Sequence, residues 1–227
     1  MPTVSVVVVG GGPAGLAVSY LLSEAGVEHI VLERGRTAER WRSGRWDSMR
    51  LLTPNWMSRL PGWTFGGQEP DGFDSATTTV ASLGRYAASF AAPVLEDVEV
   101  RTLTPVGGRY RIRTDTDTWT ASAVVLATGH SARPAVPTFA DELPGSVIQV
   151  TPDRYRNPAD LPRGTVLVVG ASATGVQIAD ELAGAGREVV LAVGRHSRVP
   201  RRYRGHDIFW WLDALGVLDQ PAGSPSA

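Results

Sequence analysis

Two stretches of this 227-residue chain hold residues suited to gripping phosphate through backbone rather than through reactive side chains. In the first, "SVVVVGGGPAGLAVSYLLSEAG", Gly10, Gly12 and Gly15 stand in G-x-G-x-x-G spacing, with Pro13 and Ala14 between the last two. The first such glycine permits a tight turn, the second lets backbone approach a pyrophosphate, and the third lets helix pack closely on strand. The helix that follows turns free N–H groups and its positive dipole end towards the phosphates. Glu33 lies 23 residues after Gly10, where a carboxylate accepts hydrogen bonds from ribose hydroxyls. A merely structural glycine turn is the alternative, but the strand before it, the helix after it and the acid in place favour a dinucleotide.

The second stretch, "TVLVVGASATGVQIADELAGAG", repeats the first at an offset of 160 positions. Its turn runs from Gly170 to Gly175, and Ser172 replaces the middle glycine. The hydroxyls of Ser172 and Thr174 can donate to phosphate. Val193 stands where the first copy has Glu33, and Arg195 follows, with Arg198, Arg201, Arg202 and Arg204 beyond. An arginine in place of the ribose acid suits a 2′-phosphate; a solvated basic loop is the alternative. The first turn therefore fits FAD and the second NADPH, one cofactor held while the other delivers electrons to it.

The elements that must position these turns are legible. Val4–Val9 is an apolar, β-branched run, as in a parallel strand buried on both faces. Gly10–Gly12 break it, Pro13 suits a first helical turn, and apolar residues at helical spacing lead to a stop at Gly26. A second strand covers 29–32, closing a βαβ unit. A helix is predicted over 76–91, short antiparallel strands over 98–104, 109–114 and 118–121, and another buried strand over 123–127. Residues 130–164 carry six prolines and read as a connector. The second unit is predicted as strand 165–169, helix 173–183 and strand 188–193, with one more helix over 207–218. The expected fold is α/β: a Rossmann-like FAD-binding domain (1–140) with a small antiparallel β-meander, a Pro-rich connector (141–164), a partial second Rossmann-like NADP-binding half (165–220) and a disordered tail (221–227).

Composition narrows the function. The chain has no cysteine, which excludes disulfides, zinc–thiolate sites and thiol nucleophiles within it. A net charge of −1 gives no bulk reason to expect nucleic acid or an anionic membrane. The longest apolar runs are strand-sized, and the start lacks a signal peptide's basic region, so a soluble cytoplasmic protein is expected. Trp41, Trp46, Trp56 and Trp63 interleave with arginines, as in single-strand nucleic-acid sites, but the neighbouring glycine turn already supplies an anionic ligand. His29, His130, His196 and His206 show no metal spacing. Ser172 lacks the context of a serine nucleophile. No side chain stands out as acid or base.

The order of parts resembles the two-dinucleotide-binding flavoproteins, and within them the flavin-containing monooxygenases, nearest their bacterial and plant YUCCA-like branch. The stretches that carry the resemblance are "VVGGGPAGLA" at 8–17, "LER" at 32–34, "ERWRSGRWDSMRLLTP" at 39–54, "VVLATGHSARPAVP" at 124–137, "YRNP" at 155–158 and "VLVVGASATGVQIADEL" at 166–182. The resemblance implies an FAD site including Glu33 and Arg34, with Trp41 and the segment Thr53–Asn55 near the flavin. Thr128 and Gly129 match the motif that returns the chain towards the NADPH domain. It further implies that NADPH reduces FAD and that O₂ then oxygenates a small substrate, a soft nucleophile, a carbonyl or an α-keto acid. Two departures stand out. Gln149 occupies the place of the family's fingerprint histidine and cannot titrate near neutral pH, which leaves open a reductase or oxidase without oxygenation. The second half holds only two recognisable strands, which leaves open a non-catalytic flavin-binding protein completed by self-association or a partner chain. Phe209, Trp210 and Trp211 are expected to form an exposed apolar patch there.

Overall fold

The computed structural model describes residues 1–64, 66–67, 69–130, 133–195 and 199–221. The chain divides into two units, each discontinuous in sequence. The first comprises Met1–Met49, Arg59–Thr64 and Ser75–Leu161. The second comprises Arg50–Ser58 and the described parts of Phe65–Asp74 and Pro162–Ala227.

In the first unit, β1 (Thr3–Val9), α1 (Pro13–Glu24) and β2 (His29–Leu32) form the expected βαβ turn. A short helix α2 (Glu39–Ser43) and a long one, α3 (Ala76–Ser89), precede β3 (Val94–Leu95), β4 (Val100–Val106), β5 (Arg109–Thr114) and β6 (Thr118–Leu126). These strands make one sheet in the order β3-β2-β1-β6-β5-β4. The strands predicted separately over 118–121 and 123–127 are one. β6 pairs antiparallel with β5 over 118–121 and parallel with β1 over 120–126, so each half of it reads differently in sequence.

Val7 and Val8, adjacent and therefore on opposite faces of β1, are both fully buried, as a central parallel strand requires. One apolar cluster joins Leu16, Ala38, Val80, Leu83 and Tyr86, and a second joins Val7, Leu32, Ile112 and Ala121. Each fully buried aliphatic or aromatic side chain here stabilises by about 1.5–3 kcal/mol. Ser75 caps α3 by accepting from Thr78 N–H at 3.1 Å. Tyr86 donates to the Pro61 carbonyl at 2.8 Å, and burial, with a smaller contribution from Tyr20, pushes its phenol up to about 12.

The second unit holds β7 (Val166–Val169), α4 (Ala173–Gly184) and β8 (Val189–Ala192), with β7 and β8 parallel. A hairpin of β9 (Arg202–Tyr203) and β10 (His206–Asp207) leads into α5 (Ile208–Ala214). The helix predicted over 207–218 is thus shorter: Asp207 caps it, and Gly216 at φ +67° turns the chain after it. Two amides anchor the inserted loops. Gln177 exchanges hydrogen bonds with the Arg50 backbone, each at 3.2 Å. Asn55, 4% exposed, donates to Glu69 O and accepts from Asp74 N–H. The tail beyond residue 221 lies outside the described residues. Among the described residues, no helix is long and apolar enough to cross a membrane.

Candidate functional site

The first glycine turn is shaped by what its glycines touch. Gly10 has φ +113°, and a Cβ there would lie 2.4 Å from Ala127 O. A Cβ on Gly15 would lie 1.8 Å from Gly10 O, so helix and strand meet at a distance only glycine allows. At Gly12 a Cβ would meet nothing within 4 Å, which leaves space before the helix N-terminus. The first helical bond is Leu16 N–H to Gly12 O at 2.9 Å. The amides of Ala14 and Gly15 precede it, have no acceptor within the helix, and no side chain caps them. Pro13 has no amide to satisfy. This open, donor-lined space fits the pyrophosphate of a dinucleotide.

Glu33 is buried beside that space. It accepts from Gly11 N–H at 2.6 Å and from Gly35 N–H at 3.1 Å, one bond to each carboxylate oxygen. The acid read as a ribose ligand therefore also clamps the turn to the end of β2, a job that sequence spacing alone did not reveal. Ala127 N–H bonds to Val9 O at 2.9 Å, which brings the Thr128 amide alongside Gly10, and Gly129 follows at φ +85°. Arg34 is exposed at the rim of this group. Trp41 packs against the cluster of Leu16 and Tyr86, with the Arg45 guanidinium 5.0 Å from its ring centroid.

The second turn repeats the bonds by which the chain leaves the strand and enters the helix, Val176 N–H to Ser172 O at 3.0 Å among them. Gly10 N–H to Leu32 O at 2.9 Å becomes Gly170 N–H to Ala192 O at 3.0 Å. Gly12 and Ser172 cap their helices in the same extended conformation, and a Cβ on Gly175 would lie 1.9 Å from Gly170 O. The Ser172 side chain makes no capping bond and is exposed, as is Arg195. Arg198 and His196 lie outside the described residues. Arg201 is committed elsewhere: it pairs with Asp207 at 2.7 Å and lies over the rings of Phe73 and Phe209. The expected patch of three aromatics is smaller than its sequence implied. Phe209 lies beneath that guanidinium and Trp211 donates to Tyr203 O at 2.9 Å, so of the three only Trp210 is exposed.

Three further positions carry more than their sequence showed. Ala38, at φ +62°, sends its amide to Gly11 O at 3.0 Å and so ties α2 to the first turn. Arg156 and Asn157, within "YRNP", hold the segment after α2: Arg156 donates to Ser43 O at 2.5 Å and Asn157 to Asp47 at 2.9 Å. Gln149 donates to Ala140 O at 2.8 Å. Asn55, placed near a flavin by resemblance, spends its amide on the loop contacts described above.

A strand–glycine turn–helix–strand cradle, built twice in one chain and closed by a buried acid in the first copy alone, defines a Rossmann-type protein. Over residues 7–206 the sequence matches the family model described as pyridine nucleotide-disulphide oxidoreductase, and the chain belongs to that family. It is 39% identical over 218 residues to an uncharacterized oxidoreductase CzcO-like of Geobacillus kaustophilus, covering 95% of this chain and 62% of that protein. It is 29% identical to the probable indole-3-pyruvate monooxygenase YUCCA4 of Arabidopsis thaliana, covering 78% of this chain and 43% of that one. Its fold matches a flavin-containing monooxygenase from Stenotrophomonas maltophilia with a TM-score of 0.79 at 28% identity, over 88% of this chain and 61% of the other. The chain thus spans about three-fifths of the first of these relatives.

Proposed function

We propose that this chain binds FAD at the first turn and NADPH at the second, and acts in NADPH-dependent flavin chemistry of the monooxygenase type on a small organic substrate with O₂. The observation that carries the reading is the doubled cradle, with an acid closing the first copy and a basic loop following the second. Gly10, Gly12, Pro13, Ala14 and Gly15 shape the pyrophosphate space, and the Ala14 and Gly15 amides donate into it. Glu33 keeps a second lone pair on each carboxylate oxygen for ribose hydroxyls. Arg34, Trp41, Thr128 and Gly129 border that site. Gly170, Ser172, Thr174 and Gly175 form the second cradle, and Arg195 meets a 2′-phosphate. FAD and NADPH, when bound, supply hydride transfer, and the protein's share is position and exclusion of water. The cytoplasm is the compartment we infer, and self-association or a partner chain is the arrangement we infer for the exposed face of the second unit.

Gln149 favours a second reading, a reductase or oxidase without oxygenation, because its amide is held by Ala140 O and offers no titrating group. Purified protein should be yellow or take up added FAD, and NADPH without oxygen should bleach it. Colourless protein that takes up no FAD sinks both readings, and stable yellow colour leaves only a flavin-binding module. Oxygen admitted with candidate substrates then separates product formation from peroxide release.

A further inference from the structure

The antiparallel part of the first unit, β4, β5 and β6, has two unlike faces. One turns inward: Ile112 is fully buried with Val7, Leu32 and Ala121, and its cross-strand partners Leu103 and Trp119 pack against the same cluster. Side chains alternate along a strand, so Arg109, Arg111 and Arg113 stand together on the other face of β5, and all three are exposed. The register puts Thr104 and Thr120 on either side of Arg111, Thr102 and Thr118 on either side of Arg113, and Val106 beside Arg109. No carboxylate therefore stands across from any of the three. Opposite charges are what stabilise such cross-strand pairs, and like charges about 6.8 Å apart along one strand repel. Elsewhere in the unit Arg36 pairs with Glu39 and Arg101 with Glu99, while Arg42 donates to Thr37 O and Arg156 to Ser43 O. Among the described residues Arg109, Arg111 and Arg113 make no such bond. Asp115 and Asp117 lie in the turn from β5 to β6, at the Arg113 end of the row, and Asp115 accepts from Glu99 N–H at 3.1 Å.

We propose that this face docks an extended acidic segment of a partner protein, one that presents a carboxylate at every second residue, with Arg109 and Arg111 as the anchors. An extended chain repeats its side chains on one face at the same spacing of about 6.8 Å. Three such carboxylates therefore reach three guanidiniums in register, each in the planar two-bond geometry that arginine favours. The flanking threonine hydroxyls donate to the lone pairs left over. Other polyanions fit less well. Single-stranded nucleic acid gains from aromatic rings on which its bases stack, and these rows carry none, since Tyr110 and Trp119 belong to the inner side. An anionic bilayer is held by apolar insertion as well as by charge, and Val106 is the only apolar residue in the rows. The proposal does not rest on flavin or nicotinamide binding.

The test adds peptides to the isotope-labelled full chain and follows the backbone amides of 102–104, 109–113 and 118–120 by NMR. A peptide alternating Glu and Thr should shift these amides, and the shifts should fade with added salt as screening shortens the reach of the charges. A peptide with the same glutamates in one block turns every second carboxylate away and should bind about fivefold more weakly; a Gln–Thr peptide should not bind. Arg111→Gln should weaken the alternating peptide by about fivefold or more, and Arg113→Gln, beside the aspartates of the turn, by less. All three arginines are exposed, so the variants should unfold at the same temperature as the unaltered protein. Equal affinity for the alternating and blocked peptides, an unchanged affinity in Arg111→Gln, or no shift with any peptide overturns the proposal. Tighter binding of oligothymidylate or of phosphatidylserine vesicles overturns it too. So does a shift of the same amides on raising the protein concentration alone, which would put a second copy on this face.

Discussion

The two glycine turns share a backbone and differ in almost everything around it. Val7, Val8, Val31 and Leu32 flank the first and are buried. Leu167, Val169 and Val190 flank the second and are 60%, 61% and 52% exposed. The difference comes from β6, which covers the free edge of β1 and delivers Ala127 against Gly10. A Cβ on Gly170 would meet nothing within 4 Å, whereas one on Gly10 would strike backbone. Turn geometry is therefore a local property of strand, glycines and helix, while a fenced cradle is a property of the sheet around it.

The comparison breaks most decisively at the third glycines. Gly15→Ala should cost more than about 4 kcal/mol or prevent folding, because a carbonyl in the middle of a packed unit must move. Gly175→Ala meets the same contact in a less buried unit, so it should abolish NADPH binding while flavin absorbance survives. Equal loss of flavin in both variants would show that the cradles do not work separately. Arg195→Ala should weaken NADPH by about 10- to 100-fold and NADH hardly at all, measured by anaerobic titration; equal losses refute a 2′-phosphate contact. Glu33→Ala strands the Gly11 and Gly35 amides and should lower stability by about 1–3 kcal/mol in urea unfolding. Val193→Ala, at the matching position, should stay within about 0.5 kcal/mol.

The middle positions sharpen the comparison on a finer scale. Gly12→Ser has room for its side chain and should change stability by about 0.5 kcal/mol or less, yet it should weaken FAD by filling the pyrophosphate space. Unaltered FAD affinity would show that the pyrophosphate lies elsewhere. The smallest effect belongs to the support behind the first turn. Glu96 accepts from Thr37 N–H at 2.7 Å, next to Ala38, and that bond holds its carboxyl below its ordinary value of 4.5. Its contribution is complete above that value and lost as pH falls through the lower folded one. Glu96→Gln should therefore narrow the stability gap between neutral and acidic pH slightly, with little change at low pH.

Sequence made the turns legible because glycine, proline and buried-strand patterns are local signals. It also placed β2 and β5 at their observed bounds. What it missed depends on distant partners. Ala38 carries a left-handed conformation that nothing local demands, and it is held by Gly11. β6 looked like two strands because its two edges have different neighbours. The hydrogen bonds that Asn55 and Gln177 make to the inserted loops reach across as many as 127 residues, and in sequence both look like ordinary polar residues.

The pairing of β1 with β6 also bears on how the chain assembles. Val7 meets Val124 across 117 residues, whereas Val168 meets Leu191 across 23. Closing the longer loop costs about 1.4 kcal/mol more in chain entropy, and contacts so far apart slow folding. The later cradle can nucleate from its own neighbourhood. The earlier one, though first off the ribosome, waits for more than a hundred residues to emerge before its back wall exists.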